Sequence, residues 1–215
     1  MTYDSRRASQ EQFGRQASYY AISPVHRHGD NLNVVQEYIQ KGTYEHAVDI
    51  ATGAGFTAFL LADQSKNVLA TDITESMLEE TRRLGSERGL ENVGQGFFVA
   101  EALGFLDNSL DIVSCRTAPH HFENVDLFLD EVSRVLKPGG KIIFETPNPE
   151  NLTVGGYSFY LDPTHKNPIP PITLEFIARQ RGFSQIDIYR YNPREEVGDI
   201  TPLIENWFNN PVDFA

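Results

Sequence analysis

The sequence predicts an α/β chain: a mostly parallel sheet with helices on both faces. Three observations predict it. From position 46 onward short apolar runs alternate with segments of helical period, the turns that join them are short, and the first strand runs straight into a glycine-rich turn. Parallel neighbours require crossovers of this kind, because a tight hairpin joins only antiparallel strands.

Taken in order, residues 5–20 are polar with Phe13, Ala17 and Tyr20 at helical spacing, a thin amphipathic helix laid over something else. Residues 23–30 read as a turn, and Leu32, Val35, Tyr38 and Ile39 mark a second helix that Gly42 ends. His46 to Ile50 is the first strand, Phe56 to Ala62 a helix, and Asn67 to Thr71 the second strand, closing at Asp72. Thr74 or Ser76 caps the next helix, which buries Met77, Leu78, Thr81 and Leu84 and stops at Gly89. Strands follow at Gln95 to Ala100 and Leu110 to Cys115. A helix opens at Asn124 with Phe128, Val132, Val135 and Leu136 on one face, and Pro138-Gly139-Gly140 closes it. Lys141 to Thr146 is the fifth strand. Residues 147–171 are rich in Pro, Gly, Asn and aromatics without a period, the mark of a lid or binding loop. Pro171 starts a last helix with Leu174, Phe176 and Ile177 inward, and Gln185 to Tyr191 is a sixth strand.

With 215 residues, 40% of them hydrophobic and 22% charged, the chain suits one domain over 1–215, with a helical cap at 1–42 and the lid at 147–171 covering a substrate. A net charge of -12 argues against nucleic-acid or anionic-membrane partners, since phosphate binding needs clustered Lys and Arg. The one cysteine, Cys115, excludes an intrachain disulfide; with no secretory pattern and no membrane-length apolar run, a cytoplasmic protein without stable membrane insertion is expected. His26 and His28 have no third metal ligand near them in sequence, so no metal is expected.

The stretch Val48 to Phe56 organises the chain. Gly53 and Gly55 let the backbone turn sharply and approach a ligand, and the following helix directs free N–H groups at it. Gly53-Ala54-Gly55-Phe56-Thr57-Ala58 fits a dinucleotide fingerprint ending in alanine, so an NAD-dependent oxidoreductase stays open. Asp49, four residues before Gly53, would repel a pyrophosphate but accept hydrogen bonds from turn amides or a ligand ammonium. Asp72, at the tip of the second strand, can accept both ribose hydroxyls.

As a set, Asp49-x-x-x-Gly53-x-Gly55, Asp72, Glu101-Ala102-Leu103-Gly104-Phe105, the run Leu110 to Phe122 and Arg134-Val135-Leu136-Lys137-Pro138-Gly139-Gly140 resemble class I S-adenosylmethionine (SAM)-dependent methyltransferases over about residues 10–147. His120-His121-Phe122 and residues 23–32 are similar to the branch typified by ubiquinone and menaquinone C-methyltransferases. Asp162 to Pro168, Gly182-Phe183 and Tyr191 to Glu196 instead look like sugar methyltransferases of bacterial polysaccharide assembly. The resemblance implies a Rossmann-like three-layer αβα sandwich of seven strands, the seventh antiparallel. The run opening at Val212 stops at Ala215, so that strand is expected to be short, leaving a sheet edge exposed or covered in a homodimer.

The resemblance further implies that Asp49, Gly53 and Gly55 hold the methionine part of SAM, Asp72 the ribose and Ile73 the adenine face, with Ala51 also in the cofactor set. Met77, Ala100, Glu101 and Arg116 complete the cofactor set, with S-adenosylhomocysteine (SAH) as product. Relatives carry a polar adenine partner where this chain has Val99, and a proline where it has Gly104. A SAM-binding protein without turnover therefore also stays open. Methyl transfer needs a general base only for a hydroxyl or acidic C–H acceptor. His120 and His165 are the catalytic candidates, and Tyr20, His121, Tyr157 and Tyr160 the candidates for contact with a small quinone-like or sugar-like acceptor.

Overall fold

A computed structural model of the chain describes residues 5–190. Five strands, β1 (Tyr44–Ile50), β2 (Ser65–Asp72), β3 (Val93–Phe97), β4 (Leu110–Arg116) and β5 (Leu136–Glu145), form one sheet in the order β3-β2-β1-β4-β5, every pair parallel. The chain first builds outward from β1 to β3, then crosses back to place β4 on the other side of β1. That reversal opens a crevice at the carboxyl ends of β1 and β4, where open α/β sheets bind ligands.

Period-two alternation along β1 divides the core. Val48 and Ile50 face α6 (Val125–Val135), whose Phe128, Leu129, Val132 and Val135 are all buried, and α8 (Pro171–Gln180) adds Leu174 and Ile177. Full burial of a side chain such as Phe128 contributes roughly 1.5–3 kcal/mol. Ala47 faces the opposite layer, where α3 (Asp30–Ile39) brings Val35 and Ile39 and α4 (Phe56–Ala62) brings Ala58 and Leu61. α5 (Glu75–Glu87) buries Met77, Leu78, Thr81 and Leu84. α1 (Ser5–Ile22) lies across the carboxyl ends through Tyr20 and Ala21, and a one-turn helix α2 (Pro24–His28) occupies the expected turn.

Three expectations need correction. Val135 ends α6 and Leu136 already pairs with Leu110, so Pro138-Gly139-Gly140 sits inside β5, not at a helix stop. The irregular register between Leu110 and Ile112, with Gly139 at φ +81, absorbs it as a bulge. Phe176 is 63% exposed; at its position on α8 it turns away from the buried stripe of Leu174 and Ile177. The sheet has five strands among the described residues rather than seven, and none is antiparallel. Residues 185–190 alternate like a strand but make no ladder. Side chains hold them instead: the Tyr38 hydroxyl donates to Asp187, and Arg190 Nε donates to Glu150 at 2.8 Å. The run from Val212 lies outside the described residues. The lid carries a short helix α7 (Leu152–Gly156) and a 3₁₀ turn at Ser158–Leu161.

Candidate active site

Ile50 leaves β1 through Ala51 at φ 53, a left-handed conformation that costs a residue with a Cβ roughly 1–2 kcal/mol. Thr117, at φ 51 just beyond β4, repeats the strain on the facing strand tip, and such strain concentrates at binding sites. Gly53 and Gly55 also have positive φ, for different reasons. A Cβ on Gly55 would lie 2.6 Å from Phe59 Cζ and 2.8 Å from Thr81 Cγ2, whereas one on Gly53 would meet nothing within 4 Å. Gly55 is thus required by packing under the turn, and Gly53 by backbone conformation beside open space. Gly55→Ala should cost about 2–5 kcal/mol of stability in urea denaturation and Gly53→Ala about 1–2 kcal/mol. Equal losses would contradict this division.

Asp49 is 1% exposed. Ser114 Oγ and Thr52 Oγ1 each donate to it at 2.6 Å, and the backbone N–H of Ala58 also reaches it. Burial nevertheless pushes its pKa up to about 6 against these donors and the nearby Arg116. Asp72 rather than Asp49 accepts the turn amide. Its carboxylate takes the N–H of Gly53 at 2.9 Å and of Thr74 at 2.8 Å, while burial raises its pKa. It therefore shapes the glycine turn from the neighbouring strand. Arg116 Nε donates to Thr57 Oγ1 at 3.1 Å and a terminal guanidinium nitrogen to the His26 carbonyl at 3.2 Å, which fixes the cation at the β4 tip.

Ile73, Met77, Phe98, Val99, Ala100 and Glu101 line one end of the crevice. Glu101 is engaged there: one carboxylate oxygen accepts the N–H groups of Glu123 at 2.8 Å and Asn124 at 3.3 Å, and the other lies 3.6 Å from the Arg6 guanidinium. The Val99 carbonyl accepts the N–H of Ala102. Gly104 is explained by the ring of Phe98, since a Cβ there would be 2.4 Å from Phe98 Cε1. Gln10 of α1 donates to the Ile73 carbonyl at 2.6 Å, closing this end from above.

The other end gathers His120, His121 and His165 with Phe13, Tyr20 and Asp162. The imidazole centroids lie 4.1 to 4.8 Å apart. His165 Nδ1 donates to the Phe159 carbonyl at 2.6 Å, and His121 Nδ1 to the Thr164 carbonyl at 3.2 Å. A carbonyl only accepts, so His165 carries its proton on Nδ1. His121 Nδ1 also meets Thr164 Oγ1 at 3.0 Å, and because that hydroxyl donates to Asp162 Oδ1 at 2.6 Å, Nδ1 is the donor there too, leaving a bare Nε2 on both rings. His120 Nδ1 lies 3.4 Å from Thr146 Oγ1. Both ends belong to one cavity of ≈ 310 Å³, within the roughly 300–1,000 Å³ of small-molecule sites.

The comparisons match this architecture. The methyltransferase-domain family matches residues 48–144. The uncharacterized methyltransferase YcgJ of Bacillus subtilis is 30% identical over 187 residues, which is 84% of this chain and 73% of YcgJ. The chain belongs to the SAM-dependent methyltransferases. The crystal structure of YcgJ matches this methyltransferase with a TM-score of 0.70 at 29% identity, covering 77% of this chain and 73% of the other. A SAM-dependent methyltransferase from Aquifex aeolicus shares the fold, with a TM-score of 0.58 at 20% identity, covering 79% of this chain and 87% of the other. The ubiquinone/menaquinone biosynthesis C-methyltransferase UbiE of Zymomonas mobilis is 37% identical over 103 residues, spanning 48% of this chain and 43% of UbiE.

The donor set suits SAM. The space beside Gly53 is one that any side chain would enter, and Asp49 is a buried carboxylate whose charge an ammonium would relieve. Of the expected cofactor residues, Asp49, Ala51, Gly53, Asp72, Ile73, Met77, Ala100, Glu101 and Arg116 line the cavity of this methyltransferase; Gly55 lies beneath it. Of the expected acceptor and catalytic residues, Tyr20, His120, His121 and His165 line it. Tyr157 and Tyr160 do not: they are 65% and 62% exposed, because the 3₁₀ turn directs Phe159 inward beneath His120 and His165 and its neighbours outward. Sequence reasoning missed Arg6, Phe13, His26, Thr57 and Asp162 as lining residues. Phe13 carried a signal in its place on the apolar stripe of α1, Asp162 in the run Asp162 to Pro168 and His26 in its pairing with His28, but none of these marked the residue as lining the cavity. Burial, reinforced by the neighbouring histidines, pushes the pKa of His120 down to about 2 and of His121 to about 4, so both rings are neutral at physiological pH.

Proposed function

We propose that this methyltransferase acts in the cytoplasm on a hydroxyl-bearing ring of a small acceptor, of quinol type, held at the histidine end of the cavity. The single observation that carries the reading is the convergence of three imidazoles with the Phe13 ring, which makes a T-shaped pair with His121, centroids 5.0 Å apart. SAM, when bound, supplies an electrophilic methyl and leaves as SAH without needing a proton. Asp49, Gly53, Asp72 and Arg116 hold and orient it, and Ile73 and Met77 flank the adenine. His165 Nε2 takes the acceptor proton. Its tautomer is held by the Phe159 carbonyl, and Asp162 Oδ2, 3.8 Å away, favours the imidazolium that results.

The cap at 1–42 and the lid at 147–171 close over the acceptor and exclude water. Gln12 of α1 donates to Asp162 Oδ2 at 2.8 Å and so ties one to the other. The partial similarity to UbiE supports a quinol acceptor. A sugar-like acceptor is the second reading, favoured by Asp162, a cavity carboxylate able to receive sugar hydroxyls. SAH release measured across quinol precursors, sugars and small amines decides. Turnover is expected with hydroxylated rings, and turnover confined to amines would overturn the proposal.

A further inference from the structure

We propose that His120, His121 and His165 form a binding site for a divalent transition-metal cation, Zn²⁺ foremost. One ring nitrogen from each lies within 4.8 Å of the other two, and the rings are one buried and two half-buried on a cavity wall. At least two of the three are held as metal ligands are held elsewhere. An Nδ1–H donated to a backbone carbonyl fixes the ring and leaves the Nε2 lone pair available to a cation: His165 to Phe159 and His121 to Thr164. Thr164 is itself fixed, its hydroxyl donating to Asp162 Oδ1 at 2.6 Å, so a carboxylate stands behind the His121 support.

Three imidazoles and no thiolate suit zinc, copper, iron or nickel over the hard cations, and three protein ligands facing a cavity leave a coordination position open to solvent or substrate. Zinc–nitrogen bonds of about 2.0–2.1 Å put ligand nitrogens ~3.3 Å apart, so binding draws the cluster together by ~1.5 Å at its widest. His165 is placed to move, since it lies on the lid between its 3₁₀ turn and α8, outside any helix or strand. The site is hidden in the sequence because His165 stands far along the chain from the adjacent pair. The Lys166 N–H to His120 carbonyl bond, 2.8 Å long, is what brings the two segments together.

The consequence for catalysis rests on the acceptor reading above; the binding itself does not. With the cation in place, a hydroxyl coordinated at the open position loses its proton to solvent more readily, and His165 no longer has to take it. Without the cation, His165 Nε2 serves.

The test is a titration of the chelator-stripped, full-length protein with Zn²⁺ by calorimetry and with Co²⁺ by visible absorption. One ion per chain bound tighter than ~1 μM is expected, with the d–d bands of low-coordinate Co²⁺. His121→Ala and His165→Ala should each weaken binding by at least about 100-fold, beyond the effect of losing an outer-shell partner. His28→Ala, exposed on α2, should leave it unchanged. SAH binding measured on every variant establishes that it is folded. Absence of stoichiometric binding, binding unaffected in both cluster variants, or binding lost with His28 would each overturn the proposal. Zinc binding without turnover of any hydroxylated ring would leave the metal site standing and remove the acceptor reading; turnover without zinc binding would do the reverse.

Discussion

Asp49→Asn is expected to lower the affinity for SAM and SAH by at least about 100-fold while leaving the cofactor-free protein as stable as the parent or more so. The two effects have one cause. Asp49 is sealed between β1, β4 and the start of α4, with Ser114 and Thr52 as its hydroxyl donors, and burial raises its pKa from 3.8 to about 6. For an acid whose folded pKa lies above its unfolded value, the folded state binds the proton more tightly. Stability from this group is therefore greatest below pH 4, declines as pH rises toward 6, and stays at its lowest above, a penalty on the order of 3 kcal/mol. Asparagine removes that penalty, since either hydroxyl can turn to accept from its amide. It also removes the charge that a ligand ammonium needs, and a charge-assisted hydrogen bond lost in a dry site accounts for the affinity. Calorimetric titration with SAH from pH 5 to 8 should show parental affinity rising through pH 6 and a flat, weak profile for the variant. Tight binding by the variant at neutral pH would remove Asp49 from the cofactor site.

Such a residue was visible in the sequence because its signal is local. Asp49, the glycine turn and Asp72 sit at fixed offsets from strand ends, and strand ends are marked by the change from a period of two to a helical period. The same logic placed α4 at its observed bounds and α6 behind the cap residue Asn124, whose side chain accepts the Leu127 N–H. Properties set by partners distant in sequence were not visible. Residues 185–190 have strand-like alternation but no ladder partner, and alternation alone cannot supply one. Tyr157 and Tyr160 share composition with Phe159, and only the 3₁₀ turn decides which of them is buried. The motif around Glu101 places it in the cofactor set but cannot show its partners: the backbone amides of Glu123 and Asn124, just before α6, and Arg6 of α1 engage it. The histidine cluster is the clearest case, because two chain segments meet there through backbone bonds that no spacing encodes.

His165→Gln should reduce turnover by about 10²–10⁴-fold on whichever hydroxylated acceptor proves active, with SAH affinity changed by no more than a few-fold. The separation follows from the two proposed sets being different residues of one cavity: Asp49, Asp72 and the glycine turn are proposed to hold SAH, whereas His165 stands with Asp162 on the lid. His120 is a poorer probe, being 3% exposed and packed at a tilt against Phe159, so its loss would disturb folding as well as chemistry. His165 is half-buried, and glutamine retains a donor for the Phe159 carbonyl while removing the basic Nε2. Saturating kinetics should place the loss in kcat rather than KM. His165→Ala leaves room for a small base, so added imidazole should restore part of the rate if the ring acts by taking a proton. A rate that imidazole cannot restore but Zn²⁺ can would assign the deprotonation to a metal held by His120 and His121. Unchanged kcat in both variants would place the acceptor proton elsewhere, leaving the histidine wall a shape for the acceptor rather than a base.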